Sequence, residues 1–381
     1  MDGRLRPSDR DERRLEAFLP SPVIQNHAAN LMVLGNGQLA CVWFGGTMEG
    51  LGDISIYFSR LEDEDTRWSE PERLSDDALR SEQNPVLFPV PDGRLWLLYT
   101  SQPSGHQDQA VVKCRISEDD GRSFGPVGML CDVPGTFVRQ PLFVNAQGDW
   151  LLPVFECRTP PGQLWRGDDD TSAVLISRDT GKSWASHSVP DSTGAVHMNI
   201  IAGHDGELLA FFRSRYADAV KISRSTDGGR TWSPPADTAL PNNNSSIQAI
   251  RLADGGIGLI YNASSAATSS ARRASLYDEI GGGTAADAPS SSRPAVWGVP
   301  RAPLVLAVSD DQGQSFPLRR TLEVGTGYCL SNNSRDGLNR ELSYPSIRQT
   351  ADGAIHLAFT YHRRAIKHVR LAPGWLRTAD A

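Results

Sequence analysis

Six segments of the chain repeat one pattern, in which a Gly-containing turn leads into an apolar run. Asn-Gly and Asp-Gly before such a run favour tight hairpin turns, because both central residues of the turn can adopt a positive φ. The pattern therefore predicts six β-hairpins spread over the chain. The segments are NGQLACVWF (36–44), DGRLWLLYT (92–100), QGDWLLPVF (147–155), DGELLAFFR (205–213), DGGIGLIYN (254–262) and DGAIHLAFT (352–360).

A second pattern, Ser-x-Asp-x-Gly-x-x-(Trp or Phe), alternates with the hairpins. A degenerate copy, SRLEDEDTRW (59–68), carries an insertion between Ser59 and Trp68. Hairpin and box recur together at intervals of roughly 50 to 60 residues, close to the size of a four-stranded propeller blade. The four regular copies are SEDDGRSF (117–124), SRDTGKSW (177–184), STDGGRTW (225–232) and SDDQGQSF (309–316).

The second pattern is the Asp-box, and through it the chain resembles sialidases and related Asp-box propellers from about Phe18 to Leu371. Together, the repeats and the resemblance predict an all-β fold, a six-bladed β-propeller of four-stranded antiparallel blades. Each blade would run from an inner strand A through the hairpin to strand B, then to C, the Asp-box turn and an outer strand D. The sixth hairpin is followed by a single strand-like run, IKHVRL (366–371), so blade six lacks an outer strand. We therefore expect an N-terminal strand near residues 14–20 to close the ring.

The expected domain organisation is a single propeller over residues 14–372, with an N-terminal tail (1–13) and a C-terminal tail (373–381). Residues 264–300 interrupt the blade spacing and are rich in Ser, Ala and Gly. Such a composition is typical of a loop. We place it between strands B and C of blade five, either as a flexible insertion or as a lid over the functional site.

Charge and composition limit the possible partners of this chain. Its 381 residues carry a formal net charge of −7, so no global field attracts nucleic acid or an anionic membrane, and we expect neither as a partner. The five cysteines lie far apart, without zinc-ligand spacing, and we predict no metal and no cofactor. The N-terminus lacks the apolar stretch of a secretory signal, so we expect a cytoplasmic protein.

The strand order predicts which face of the propeller carries the chemistry. Strands reverse direction at each turn, so the Asp-boxes and the hairpins share one face, and the starts of the A strands and the ends of the B strands share the other. Polar side chains occur at this second face in every blade, which favours a funnel that binds a polyhydroxylated ligand. The candidate binding residues are Arg139, Arg213, Arg301, Asn84, His197, Asn199, Asn244, Glu49, Tyr361 and His362.

The resemblance also implies catalytic roles. Sialidases are retaining glycosidases in which a glutamate activates a tyrosine nucleophile, an aspartate is the acid/base, and three arginines hold the sugar carboxylate. Tyr344, in ELSYPSI, resembles that tyrosine, and Arg213 and Arg301 resemble two of the clamp arginines. Asp53 is the candidate acid, and Glu341 or Glu156 is the candidate activator. The implied substrate is a carbohydrate whose terminal sugar carries a carboxylate.

The chain departs from the sialidase pattern at its first inner strand. His27 stands where sialidases have the arginine of an Arg-Ile-Pro motif, and Arg139 could supply the missing guanidinium. An alternative is a uronate-specific lyase or glycosidase, with His27 or His197 as base, Tyr344 as acid, and Arg139 with Asn84 or Asn199 as neutraliser. A third interpretation is a propeller that binds glycans without catalysis, because a fold does not fix an activity.

Overall fold

The structure, a computed structural model, describes residues 1–62, 66–75, 77–161, 163–277, 293–325, 327–331 and 339–378. These residues form six antiparallel sheets, as expected for propeller blades, and in five of them the strands follow one another across the sheet in sequence order. The prediction of a six-bladed all-β propeller is confirmed. No helix in the described ranges is long and apolar enough to cross a membrane.

The strands are numbered along the chain, and two of them precede blade one. These are β1 (Arg6–Ser8) and β2 (Asp11–Phe18). Blade one contains β3 (Gln25–Val33), β4 (Leu39–Gly46), β5 (Ser55–Glu62), β6 (Arg67–Trp68) and β7 (Glu72–Arg73). Blade two contains β8 (Arg80–Pro89), β9 (Leu95–Pro103), a short 3₁₀ helix (Gln107–Gln109), β10 (Val111–Ser117) and β11 (Gly128–Cys131). Blade three contains β12 (Thr136–Val138), β13 (Phe143–Val144), β14 (Trp150–Glu156), β15 (Thr171–Ser177) and β16 (Ala185–Ser188).

The remaining three blades complete the ring. Blade four contains β17 (Ala195–Ala202), β18 (Leu208–Ser214), β19 (Ala219–Ser225) and β20 (Ala236–Pro241). Blade five contains β21 (Gln248–Arg251), β22 (Ile257–Asn262), β23 (Leu304–Ser309) and β24 (Leu318–Glu323). Blade six contains β25 (Leu342–Gln349), β26 (Ile355–Tyr361) and β27 (Ala365–Leu371), and its outer strands are β2 and β1.

The N-terminal strand closes the ring, as the sequence indicates. β2 pairs antiparallel with β27, and β1 adds a fifth strand outside it. Both strands take in part of the segment 1–13 that the sequence suggests is a tail. The segment is held by Glu323 of blade five, whose buried carboxylate contacts the exposed Arg10 and the buried Arg14 of the N-terminal segment and Lys367 of β27. The segment therefore joins blades five and six.

The Asp-boxes form the turns between strands C and D. In blade four, the Asp227 carboxylate accepts hydrogen bonds from the backbone nitrogens of Arg230 (3.1 Å) and Thr231 (2.9 Å) and from the hydroxyls of Ser225 (2.9 Å) and Thr231 (2.7 Å). The other three regular boxes repeat the bond from the serine hydroxyl and the two bonds from the backbone nitrogen and hydroxyl of the residue four positions after the aspartate. A short acidic side chain therefore fixes each turn.

Replacing Asp227 with alanine is expected to lower the free energy of unfolding by about 1–2 kcal/mol, because it removes these hydrogen bonds. Ligand affinity and turnover are expected to stay unchanged, because the box lies on the face opposite the funnel. Urea unfolding and kinetics measure the two effects. Glu118→Ala, at an exposed position of the blade-two box, is the control. A large loss of activity in Asp227→Ala would contradict a structural role.

Four of the inner strands carry a β-bulge where they enter the funnel. In each of them two residues oppose a single residue of strand B, for example Tyr344 and Pro345 in β25. The first bulged residue has a positive φ, with values from 50° to 60°, and lies nine positions before the hairpin glycine. A bulge redirects the side chain it carries. The four residues are Ala28, Asn84, His197 and Tyr344.

A belt of polar side chains connects neighbouring blades around the central channel. In five of the contacts, an uncharged polar side chain accepts a hydrogen bond from a backbone N–H of the next blade's inner strand. These acceptors account for many of the buried polar residues near the channel. The pairs are Asn30 with Leu87, Thr100 with Val138, Asn199 with Ala249, Gln248 with Ile347, and Ser346 with Leu31.

Candidate active site

Tyr344 lies at the centre of the funnel, held there by the bulge in β25. Its hydroxyl accepts a hydrogen bond from Nη1 of Arg213 at 2.6 Å. The guanidinium carbons of Arg139, Arg213 and Arg301 lie 5.2, 5.7 and 5.5 Å from the centroid of its ring. Three of the arginines named by the sequence analysis therefore converge on one phenol, although they come from blades three, four and five.

The three arginines differ in how they are held. Arg139 donates to the backbone oxygens of Ala29 and Tyr344, both at 3.1 Å, so its guanidinium lies beside the inner-strand backbone. Arg213 follows the end of the apolar run of β18 and donates from Nε to Oδ1 of Asn244 at 2.7 Å. Arg301 bonds to Glu341 at 2.8 Å and is the most exposed of the three, with 11% of its side chain accessible.

The centre of the site carries excess positive charge. Neither Arg139 nor Arg213 pairs with a carboxylate in the part of the chain that the structure describes, and each is only 1% exposed. Burial lowers the pKa of Arg139 to about 10 and that of Arg213 to about 9. Both stay charged at neutral pH, and a buried charge without a counterion is unfavourable. The site is therefore suited to an anionic ligand.

Glu341 is fully engaged with its neighbours. One of its oxygens accepts hydrogen bonds from Arg301 (2.8 Å), Arg363 (2.9 Å) and Ser343 (2.7 Å). Burial alone would raise the pKa of Glu341, but Arg363 and Arg301 hold it well below its usual value. The carboxylate is thus ionised, and it positions Arg301 at the edge of the site.

The resemblance implies a carboxylate beside Tyr344, and the structure places other groups there. Among the described residues, no carboxylate bonds to the Tyr344 hydroxyl. Glu341 bonds to Arg301 and Arg363, and Glu156 pairs with Arg158 at the rim. Neither of the two candidate activators therefore has a described hydrogen bond to the Tyr344 hydroxyl.

Two histidines flank the Tyr344 ring instead. The ring centroids of His27 and His197 lie 4.2 and 5.6 Å from that of Tyr344. Nδ1 of His27 contacts Oγ1 of Thr360 at 2.8 Å, and Nε2 of His197 lies 3.4 Å from Nη1 of Arg213. Burial, and then the surrounding guanidiniums, lower the pKa of both imidazoles well below its usual value. Both histidines are therefore neutral in this structure.

The blade-one acids lie farther out. Asp53 is exposed and accepts a hydrogen bond from the backbone nitrogen of Thr47 at 2.8 Å, within its own loop. None of the contacts described for Asp53 reaches Tyr344. Glu49 pairs with Nη1 of Arg363 at 2.5 Å and so belongs to the shell around Glu341.

The other five predicted binding residues lie in different parts of the propeller. Asn84 occupies the bulge of blade two, and Asn244 bonds to Arg213 and so lies in the site. Asn199 belongs to the belt between blades, because its amide oxygen bonds to Ala249. The ring of Tyr361 packs against Phe18 of the closing strand, and His362 packs against Tyr361. Only Asn244 of these five has a described contact with the arginines around Tyr344.

The loop of blade five crosses the funnel. Its described parts, residues 264–277 and 293–300, are called the blade-five strap. The Tyr277 hydroxyl accepts hydrogen bonds from Gln102 and Gln107 of blade two, both at 2.8 Å. At the other end, the Val296 oxygen accepts a bond from Asn244 at 2.9 Å, and Arg213 lies 5.8 Å from the Trp297 ring. The strap therefore contacts blade two at one end and the Arg213 and Asn244 side chains of the site at the other; residues 278–292 lie outside the described residues.

A cavity remains open between the strap and blades five and six. The strap's part in this cavity could not be predicted, because a Ser, Ala and Gly-rich segment has no periodicity that would place its side chains. Trp297, an aromatic in an otherwise small-residue loop, is a signal that could have been followed. The lining residues are Asn243, Asn244, Ala271, Arg272, Arg273, Val296, Trp297, Gly298, Val299, Arg301, Asn339 and Glu341.

Comparison with protein families gives one match. The family described as BNR repeat-like domain matches residues 37–357, which is most of the chain. No curated protein sequence matches the chain.

Several solved structures share the architecture. The Hadza microbial sialidase Hz136 aligns with a TM-score of 0.67 and 13% identity over 92% of this chain and 66% of its own. A protein of unknown function from Dyadobacter fermentans aligns with a TM-score of 0.68 and 15% identity over 94% and 98% of the two chains. The intramolecular trans-sialidase from Ruminococcus gnavus aligns with a TM-score of 0.67 and 11% identity over 96% and 98%. At these identities the likeness shows the fold alone.

Proposed function

The chain belongs to the BNR repeat-like domain family, and from that premise we propose that it is a glycoside hydrolase that removes a terminal acidic sugar from a glycan. One observation carries the proposal, the convergence of three guanidiniums on the buried phenol of Tyr344. The excess positive charge matches a sugar carboxylate. The sialidase structures of the same architecture support this class of substrate.

In the proposed reaction Tyr344 is the nucleophile. Its oxygen attacks the anomeric carbon, and its proton passes to His197, whose neutral imidazole contacts the same Arg213 nitrogen. The bond to the leaving sugar breaks, and the leaving oxygen takes a proton from solvent, because Asp53 is exposed and its described hydrogen bond lies within its own loop. Water then attacks the anomeric carbon and releases a proton to solvent, and the bond between sugar and Tyr344 breaks as the tyrosine oxygen takes its proton back from His197. Arg213 stabilises the negative charge that develops on the phenol oxygen.

A second candidate is a uronate lyase, and the histidines at the site favour it. Neutral imidazoles, rather than a carboxylate, flank Tyr344. In a lyase, a base removes the proton from the carbon beside the sugar carboxylate, a carbon–carbon double bond forms, and the leaving oxygen takes a proton from Tyr344. Arg213 and Arg301 would neutralise the carboxylate. Both candidates use Tyr344, but their products differ.

The deciding experiment incubates the purified chain with matched sialosides and uronosides. Hydrolysis releases the acidic sugar with no new ultraviolet absorbance, whereas elimination creates a conjugated product that absorbs in the ultraviolet. Release of sialic acid supports the hydrolase. An ultraviolet-absorbing product from a uronoside would show that the chain is a lyase instead. Binding without turnover of any substrate, unchanged in Tyr344→Phe, would support a non-catalytic glycan-binding propeller.

A further inference from the structure

The strap side of the cavity carries a charge that the chemistry at Tyr344 does not use. Arg272 lines the cavity and is exposed. Its guanidinium donates to three backbone oxygens, those of Ser269 (2.7 Å), Ala271 (2.7 Å) and Ala266 (3.2 Å). These bonds fix the position of the guanidinium without neutralising it. In the described ranges, Arg272 pairs with no carboxylate.

Guanidinium groups from the strap and from blade five line the cavity. Arg272 and Arg301 are among them, and Glu341 is the one carboxylate among its lining residues. That carboxylate already binds both Arg301 and Arg363. An anion that enters from the strap side therefore meets the guanidinium of Arg272, which no described carboxylate neutralises.

An unpartnered polar group in the same cavity points to a ligand. Asn243 is 2% exposed, and its amide nitrogen donates to the backbone oxygen of Pro300 at 2.9 Å. Its amide oxygen is buried and has no partner among the described residues. A buried acceptor without a donor is unfavourable, and a ligand hydroxyl would satisfy it.

We propose that this cavity is a second sugar subsite, which binds the residue next to the one that is cleaved. Arg272 would bind an acidic group, a carboxylate or a sulfate, on that second sugar, and the Asn243 oxygen would accept a hydrogen bond from one of its hydroxyls. The placement of the first sugar at Tyr344 rests on the proposed function. The preferred substrates are therefore chains that carry acidic groups on both of their terminal residues.

The test measures the binding of matched oligosaccharides to the Tyr344→Phe variant by calorimetry, so that turnover does not interfere. The ligands are a disialyl oligosaccharide and its monosialyl counterpart, and a second pair in which the added acidic group is a sulfate. One charge-assisted contact is expected to make the doubly acidic ligand bind about tenfold more tightly. The pair with the larger difference shows whether a carboxylate or a sulfate is preferred.

Variants assign the difference to the subsite. In the Tyr344→Phe background, Arg272→Ala is expected to lower affinity for the doubly acidic ligand about tenfold and for the singly acidic ligand less than about twofold. Arg272→Lys is expected to recover part of the loss. Arg158→Ala, an exposed arginine of blade three that pairs with Glu156, is the matched control and is expected to change neither affinity.

Two results would overturn the subsite. One is equal binding of singly and doubly acidic ligands in both pairs, and the other is an equal loss for both ligands in Arg272→Ala. Failure of the proposed function is separable, because it appears as a lack of turnover by the unmodified chain. If turnover is absent while the Arg272-dependent preference holds, the subsite stands and the hydrolase does not.

Discussion

Replacing Tyr344 with phenylalanine is expected to reduce kcat on an acidic glycoside by about three orders of magnitude, whichever reaction the site performs. The substitution removes one oxygen and keeps the ring, so the packing against His27 and His197 stays. The missing oxygen is the one that bonds to Arg213. Without it the site has neither the nucleophile of a hydrolase nor the acid of a lyase.

Steady-state kinetics and urea unfolding of the same variant check this prediction. Tyr99→Phe is the matched control, because its hydroxyl is buried without a hydrogen-bond partner in the described ranges, and both variants lose only an oxygen from a buried ring. We expect Tyr99→Phe to keep full activity. If Tyr344→Phe folds and retains more than about a tenth of kcat, Tyr344 takes no direct part in the chemistry.

Replacing Glu341 with glutamine is expected to lower the free energy of unfolding by about 3–5 kcal/mol, because the buried charges of Arg301 and Arg363 lose their shared counterion. Glutamine has nearly the same shape, so the effect isolates the charge. Arg301 also loses its anchor, and KM for an acidic substrate is expected to rise. Urea unfolding and kinetics measure the two effects.

The pH dependence of stability gives a second measurement on the same residue. The pKa of Glu341 is well below its usual value in the folded chain and near 4.5 when the chain is unfolded. Its stabilising contribution is therefore fully present above pH 4.5 and is lost as pH falls towards the folded pKa. The Glu341→Gln variant is expected to lack this component, so its stability should approach that of the unmodified chain in acid. Equal differences in the free energy of unfolding between the variant and the unmodified chain at pH 7 and pH 3.5 would show that folding does not lower the pKa of Glu341.

The propeller could be predicted because its signals are local and repeated. Each Asp-box holds its own turn through bonds within a few residues, as Asp227 does with Thr231. Each hairpin likewise depends on its own turn residues, so the same short pattern specifies every blade. The closing strand was predictable because the sequence pattern leaves blade six without its outer strand. The position where that strand starts, Asp11, was not predictable. That start depends on ion pairs to Glu323, which is more than 300 positions away in the sequence.

The candidate site was predictable only in part. Counting back about ten positions from each hairpin glycine identified Arg139, His197 and Tyr344. An inner strand of that length runs from the hairpin turn to the funnel. The same count could not distinguish Asn199, which joins two blades, from Asn244, which bonds to Arg213. These two asparagines differ in their neighbours from other blades, and the local sequence does not encode those neighbours.

The bulges in the inner strands also decide how such a funnel can be altered. A position held at positive φ accepts Asn, His or Gly readily, whereas a β-branched residue there would be strained by about 1–2 kcal/mol. Asn84, His197 and Tyr344 each occupy one of these positions. A substitution library for new ligand specificity should therefore exclude Val, Ile and Thr at these three residues and can vary their functional groups without rebuilding the sheets around them.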